Sequence, residues 1–306
     1  MKLAITGATG FVGSRLVERL HAQGDQVLVF TRNPTSAQRV FPHEVYPNVE
    51  VVAYSPTESG AWQNAIAGCD AVVNLAGESI AQGRWTPQRK QEIFQSRQIG
   101  TQKIVEAIAK ANPKPKVLVN ASAIGYYGTS ETDTFDESSS SGNDFLAEVC
   151  RAWEAEAQKA LDYDVRLVIL RFGIVLGMGG AIARMVTPFK LFAGGPIGTG
   201  RQWFSWIHRD DLVNLIITAI KREDIQGVLN ATAPDPVRMA EFCQTMGEVM
   251  NRPSWLPVPN FAIEALLGDG AIVVLEGQKV LPQRAQAYDF EFQYPNVKQA
   301  LTEILA

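Results

Sequence analysis

The chain opens Met1-Lys-Leu-Ala-Ile-Thr-Gly-Ala-Thr-Gly-Phe-Val-Gly13, a short apolar strand running straight into glycines at 7, 10 and 13. Few folds tolerate that spacing. A strand, a glycine turn and a helix N-terminus in immediate succession make a cradle for a dinucleotide pyrophosphate. Gly7 permits the tight turn, Gly10 leaves room for a phosphate against main chain, and Gly13 lets the helix pack closely on the strand. The helix then presents its open N–H groups and positive dipole end to the anion. The required context is present: residues 3–5 read as strand, and 11–23 as a helix with Phe11, Val12, Leu16, Val17 and Leu20 on its apolar face, closed by Gly24. Gly7, Thr9, Gly10, Phe11, Val12 and Gly13 are therefore candidate cofactor residues.

Strand-like and helix-like segments go on alternating. Strands are predicted at 27–30, 49–53, 71–75, 117–122, 165–171 and 228–231. Helices fall at 61–68, 86–111, 144–162 and 210–221, the second capped by Thr86 with Pro87 in its first turn. This rhythm predicts an α/β fold, a Rossmann-type doubly wound parallel sheet with a smaller C-terminal substrate lobe. The expected division is 1–180 plus 206–232 for the cofactor domain and 181–205 plus 233–306 for the lobe. The segment 129–143, rich in acids and serines, reads as a mobile flap beside a site.

Composition narrows the function classes. A chain of 306 residues, 46% hydrophobic, can bury a large core. Its net charge of −4 offers nothing to nucleic acid or an anionic membrane. No apolar run reaches the ~20 residues of a membrane helix, and no signal or transit segment precedes the first strand, so a cytoplasmic location is expected. Cys69, Cys150 and Cys243 read as reduced core thiols. His21, His43 and His208 are scattered, and no metal site is predicted.

The end of the second strand usually selects the dinucleotide. An acid there binds the adenosine ribose of NAD, whereas a positive side chain accommodates the 2′-phosphate of NADP. This chain reads Val29-Phe30-Thr31-Arg32-Asn33. Arg32, a planar fork matched to phosphate, points to NADP rather than NAD, and Thr31 can add a hydroxyl contact.

Several separated pieces resemble the extended short-chain dehydrogenase/reductase family, in the family's order. Thr6 to Gly13 resembles its cofactor fingerprint, and Val73-Asn74-Leu75-Ala76-Gly77 its Ala-Gly segment flanking the cofactor. Asn120-Ala121-Ser122-Ala123, followed by Tyr127-Gly128, is similar to the strand that carries the catalytic Ser/Thr. Arg171-Phe172-Gly173 begins a segment resembling the one that borders the nicotinamide, and Trp206-Ile207-His208-Arg209-Asp210-Asp211 resembles a late family signature. The resemblance thus adds Leu75, Ala76, Gly77, Ala121, Ser122, Phe172 and Gly173 as cofactor residues. Gly83-Arg84-Trp85-Thr86, the run from Gly142 to Glu154, and Gln202-Trp203-Phe204-Ser205 look like the atypical epimerase-family proteins. Some of these are labelled cell-division-inhibitor-like. Leu256-Pro257-Val258-Pro259, Leu281-Pro282-Gln283-Arg284 and Phe290-Glu291-Phe292 resemble their C-terminal extension. The resemblance also implies pairing of two copies through the helices at 86–111 and 144–162, whose apolar content packing on their own sheet would equally explain.

The chemistry departs from the family. Active members carry Tyr-x-x-x-Lys about 25 positions after the Ser, the lysine lowering the tyrosine pKa for proton transfer. The window 143–154 holds neither residue. Phe145 and Val149 fall on the expected spacing; a shifted register gives Asp144 with Glu148, or Leu146 with Cys150. The candidates left are Ser122, a hydrogen-bond donor to substrate oxygen; Tyr127, which in relatives shapes the pocket; and Glu148, a proton carrier if a dry pocket raises its pKa. Arg84-Trp85 and Trp203-Phe204-Ser205-Trp206 offer aromatic surface beside a cation, suited to a flat or anionic ligand. Three functions stay open: an NADP-dependent reductase or epimerase with a non-standard site acting on an unknown small molecule; a catalytically silent cofactor-binding regulator, working through a protein partner in division or redox sensing; and a nucleotide-sugar epimerase using Arg201 and Arg209 on a pyrophosphate.

Overall fold

The computed structural model describes residues 1–306, the side chain of residue 181 excepted. β1 (Lys2–Thr6) feeds α1 (Phe11–Ala22), and β2 (Gln26–Thr31), α2 (Pro34–Val40) and β3 (Val49–Ala53) complete the first half. A short 3-10 piece, Ala61–Ile66, stands where a helix is predicted at 61–68. β4 (Ala71–Asn74), α3 (Pro87–Lys110) and β5 (Val117–Ala123) follow. After β6 (Thr134–Phe135), α4 (Phe145–Gln158) stops short of residue 162 and tightens into a 3-10 turn, Lys159–Tyr163, that ends on Asp164 in a left-handed conformation. The chain continues through β7 (Arg166–Phe172), β8 (Ile174–Leu176), α5 (Gly180–Lys190), β9 (Trp203–Phe204), β10 (Trp206–His208), α6 (Arg209–Lys221) and β11 (Gly227–Ala231). It closes with β12 (Val237–Arg238), α7 (Met239–Met250), α8 (Asn260–Leu267), α9 (Ile272–Leu275), β13 (Lys279–Val280), α10 (Gln283–Ala287) and α11 (Val297–Leu305).

Seven strands form one parallel sheet in the order β3-β2-β1-β4-β5-β7-β11. The expected Rossmann-type architecture is present, with its switch of strand order between β1 and β4. Strands buried on both faces need apolar runs and helices on both sides. One face packs on α1 and α6 through Leu16, Val17, Leu20, Leu212 and Ile216; the other packs on α3 and α4 through Ile104, Ile108 and Ala157. A crevice at the C-terminal ends of the strands follows from the strand order.

A second core joins α5, α7 and α11 around Phe189, Phe204, Trp206 and Phe242. The C-terminal segment does not stay in this lobe. β13 pairs with β6, and Ala285, Tyr288, Phe290 and Phe292 return to the core of the main sheet. Within the segment 233–306 expected in the lobe, residues 285–292 thus pack on the core shared by the sheet, α1 and α6, with Ala285 buried and the three aromatic side chains partly buried. Among the described residues no helix is long and apolar enough to cross a membrane, and no group of His, Cys, Asp and Glu could hold a metal ion. All three cysteines are buried free thiols, as expected.

Candidate functional site

The glycine loop is fixed by close approaches. Thr6 Oγ1 donates to Asn74 Oδ1 (2.7 Å) and accepts from the N–H groups of Leu75 and Ala76, which pins the end of β4 beside the end of β1. Gly7 has φ +67°, and a Cβ there would lie 2.8 Å from the Leu75 carbonyl. A Cβ on Gly13 would lie 2.3 Å from the Gly7 oxygen. No side chain caps α1, so its first-turn amides are open at the loop. This cradle, uncapped and closed to any Cβ at 7 and 13, fits a dinucleotide pyrophosphate.

A cavity of about 260 Å³ runs from this loop across the ends of β1, β2 and β4. It takes in Gly7, Thr9, Gly10, Arg32, Leu75, Ala76 and Gly77 of the predicted set, together with Tyr54 and Glu78, which sequence reasoning missed. Tyr54 directly follows β3, so its place at a strand end was the available signal. Burial pushes its phenol up to about 12. The rest of the predicted set lies outside the cavity walls. Phe11 packs under Gly177, Gly179 and Gly180; Val12 joins the core; and Gly173 lies against the Ser205 carbonyl, where a Cβ would come to 2.8 Å. Thr31 Oγ1 accepts from its neighbour, the Asn33 N–H, so that hydroxyl serves its own turn.

Arg32 stands at the cavity mouth with its side chain 70% exposed, and Nη1 meets Glu78 Oε1 at 2.7 Å. Glu78 also lies 3.4 Å from Arg89. The Arg32 guanidinium holds the Glu78 carboxyl below the usual carboxylate range. An ion pair this exposed is weak, and a phosphate can displace it.

The other end of the site is built differently. Ser122 Oγ donates to Glu154 Oε1 (2.6 Å); Arg171 donates from Nε and Nη2 to both Glu154 oxygens (2.8 Å each) and from Nη1 to the Tyr127 hydroxyl (2.9 Å); Tyr127 donates to Asn230 Oδ1 (2.7 Å). Each of these residues is buried. Burial pushes the Tyr127 phenol up to about 12. Ser122 and Tyr127, two of the three proton-handling candidates, are thus committed to an internal network. The third, Glu148, is exposed in the first turn of α4 and lacks the dry pocket its role requires.

The structure shows which residues of α4 face the end of β5. On α4 the residues facing the end of β5 are Leu146, against Gly125; Cys150, whose Sγ is 3.6 Å from the Ala123 carbonyl; and Glu154, on Ser122. Spaced by four, they share one helix face. Phe145 and Val149 pack with Trp85 and Ile93, a cluster that Leu146 also touches, and Asp144 caps the helix by accepting from the Ala147 N–H. A proton relay reaching the strand end from this helix would need positions 146 and 150. They carry an apolar side chain and a thiol that burial pushes up to about 11.

The segment 129–143 is tethered rather than a loose flap. β6 pairs with β13, Phe135 stacks on Tyr127 at 5.3 Å, and Glu137 Oε1 accepts from the Asn230 and Arg284 backbone N–H groups. Asp136 turns the loop by accepting from the Ser138 N–H. Of the aromatic groups proposed for ligand, Trp85 is buried with its Nε1 donated to the Ile80 carbonyl, and Arg84 holds the Ala265 carbonyl of α8. Trp203 carries Arg238 on its ring at 3.8 Å, while Arg201 pairs with Glu131 and Arg209 lies on Phe11.

This fold and cradle define a dinucleotide-binding protein. Residues 3–231 match the NAD dependent epimerase/dehydratase family, and 258–304 match a domain of unknown function, DUF1731. The chain belongs to that epimerase/dehydratase family. It is 54% identical over 308 residues to the Arabidopsis thaliana protein named "Epimerase family protein SDR39U1 homolog, chloroplastic", covering all of this chain and 87% of that one. It is 40% identical to Bacillus subtilis "Epimerase family protein YfhF", covering 100% and 98%. The crystal structure of human epimerase family protein SDR39U1 with NADPH superposes with a TM-score of 0.87 at 36% identity, covering 99% of each chain.

Proposed function

We propose that this protein is an NADPH-dependent reductase of a small carbonyl compound, working without a side-chain acid. The observation that carries this reading is the pairing of an intact cradle, with Arg32 at its mouth, and a reacting end where Leu146 and Cys150 occupy the proton-relay positions. The human relative's NADPH supports the choice of cofactor. Gly7, Thr9 and Gly10 would hold the pyrophosphate with the first turn of α1, and Arg32 would leave Glu78 for the 2′-phosphate. When bound, NADPH supplies a hydride to a carbonyl carbon while the oxygen takes its proton from water, and it leaves as NADP⁺. Epimerisation fits less well, because oxidising an alcohol first requires a base to remove the hydroxyl proton, and Ser122, Tyr127 and Cys150 supply none.

A regulatory protein that holds the cofactor without turnover, in division or redox sensing, is the competing reading; the same apolar pair favours it. Loss of nicotinamide absorbance with a panel of small aldehydes and ketones separates the two. Turnover with NADPH on any of them supports the reductase. Tight NADPH binding with no turnover across the panel would leave the regulatory reading.

A further inference from the structure

Arg97 lies midway along α3, half-buried, directly after Ser96 of the cofactor-cavity wall. Its Nη1 donates to the carbonyls of Glu78 (2.9 Å) and Ile93 (3.1 Å). The guanidinium lies flat on Gly77, where a Cβ would come 2.9 Å from Cζ, 3.1 Å from Nη2 and 3.2 Å from Nε. The Trp153 ring centroid is 5.2 Å from Cζ. The cation is therefore clamped in position by a backbone it nearly touches, a ring and two carbonyls. Its remaining edge, Nε with Nη2, has no acceptor among the described residues, and no carboxylate pairs with it there. Arg15 and Arg171, by contrast, each grip a carboxylate with two nitrogens.

A clamped guanidinium without a counterion is expensive to keep. Burial holds its pKa below the ordinary arginine value. Beside it, Trp153 Nε1 is buried with no acceptor either, so this pocket holds more donors than the protein satisfies. The location is equally specific: Gly77 and Glu78, which Arg97 contacts, wall the cofactor cavity with Ser96, and Trp153 of α4 lies against the same guanidinium.

We propose that the Nε–Nη2 edge of Arg97 is the substrate anion site, taking the carboxylate of a small 2-oxo acid. A planar fork anchored through Nη1, with its Nε–Nη2 edge lacking an acceptor, matches a carboxylate in two parallel hydrogen bonds. A keto group on the adjacent carbon is then held in a fixed position by one residue. The inference rests on the reductase reading and names the substrate class for it.

The test is calorimetric titration of oxamate, an unreactive 2-oxo acid mimic, into the NADPH-loaded full chain and into its Arg97→Met and Arg97→Lys variants. Saturable binding is expected, weakened about 10- to 100-fold in both variants. Lysine is expected to fail as well, because it keeps the charge and loses the fork. NADPH affinity should change by less than about threefold, well short of the tenfold that one lost strong contact costs. No oxamate binding to the parent chain, or equal binding to all three, overturns the proposal. Loss of NADPH in place of oxamate also overturns it, by assigning Arg97 to the cofactor's phosphates. If NADPH fails to bind the parent chain, the reductase reading falls, and oxamate titrated into the unloaded proteins still decides the role of Arg97.

Discussion

The two ends of the crevice are built on opposite principles. At the cofactor end the polar groups are open or only weakly paired: α1 is uncapped, Arg32 is held by nothing more than an exposed ion pair with Glu78, and neighbouring carbonyls exclude any Cβ at Gly7 and Gly13. At the reacting end the polar groups are spent on one another, through Ser122, Glu154, Arg171, Tyr127 and Asn230. A polar group can serve a ligand when the protein leaves it unpaired or pairs it only weakly at the surface. Ser122 and Tyr127, residue types that look catalytic on paper, are engaged with other protein groups, whereas Arg97, which looks structural, keeps an edge with no acceptor.

The sharpest way to break this contrast is Glu154→Ala. It strands a buried Arg171 and leaves Ser122 without its acceptor, so urea denaturation should show a loss of about 3–5 kcal/mol. A loss below about 1 kcal/mol, the ordinary value of a single hydrogen bond, would mean the network is not the structural element described. The smaller test is Ser122→Ala beside Glu148→Gln. The first should lower stability by about 1 kcal/mol, and the second should stay within about 0.5 kcal/mol. Both should leave NADPH consumption by a responsive carbonyl compound unchanged; a large fall in rate from either would return that residue to the chemistry.

The cofactor end was legible in the sequence because its constraints are local. A glycine that must avoid a carbonyl, or an arginine at the end of a second strand, announces itself in a few neighbouring residues. The reacting end depends on which way side chains face. At the end of β5, Ser122 turns to Glu154, a partner 32 positions away, and only the packing of α4 reveals that Leu146 and Cys150 face the strand end. The segment 129–143 misled for a similar reason: its acids and serines read as a mobile flap, yet Glu137 accepts backbone N–H groups from Asn230 of β11 and Arg284 of α10. Arg97 carried a signal that could have been read. It interrupts the apolar stripe Ile93, Arg97, Ile104, Ile108 of α3, where a charge is out of place unless something uses it. The return of Phe290 and Phe292 to the main sheet had no counterpart in local pattern, since neither end of the chain records where it packs.

The central claim is that an NADPH cradle survives intact above a site whose own hydroxyls are already engaged. Parallel titrations of NADPH and NADH into the parent chain and into Arg32→Ala test it most directly. The account predicts that the parent prefers NADPH, and that the substitution weakens NADPH about 10- to 100-fold while NADH changes little, bringing the two affinities together. Equal affinity for both cofactors in the parent chain, or equal weakening of both in the variant, would contradict it.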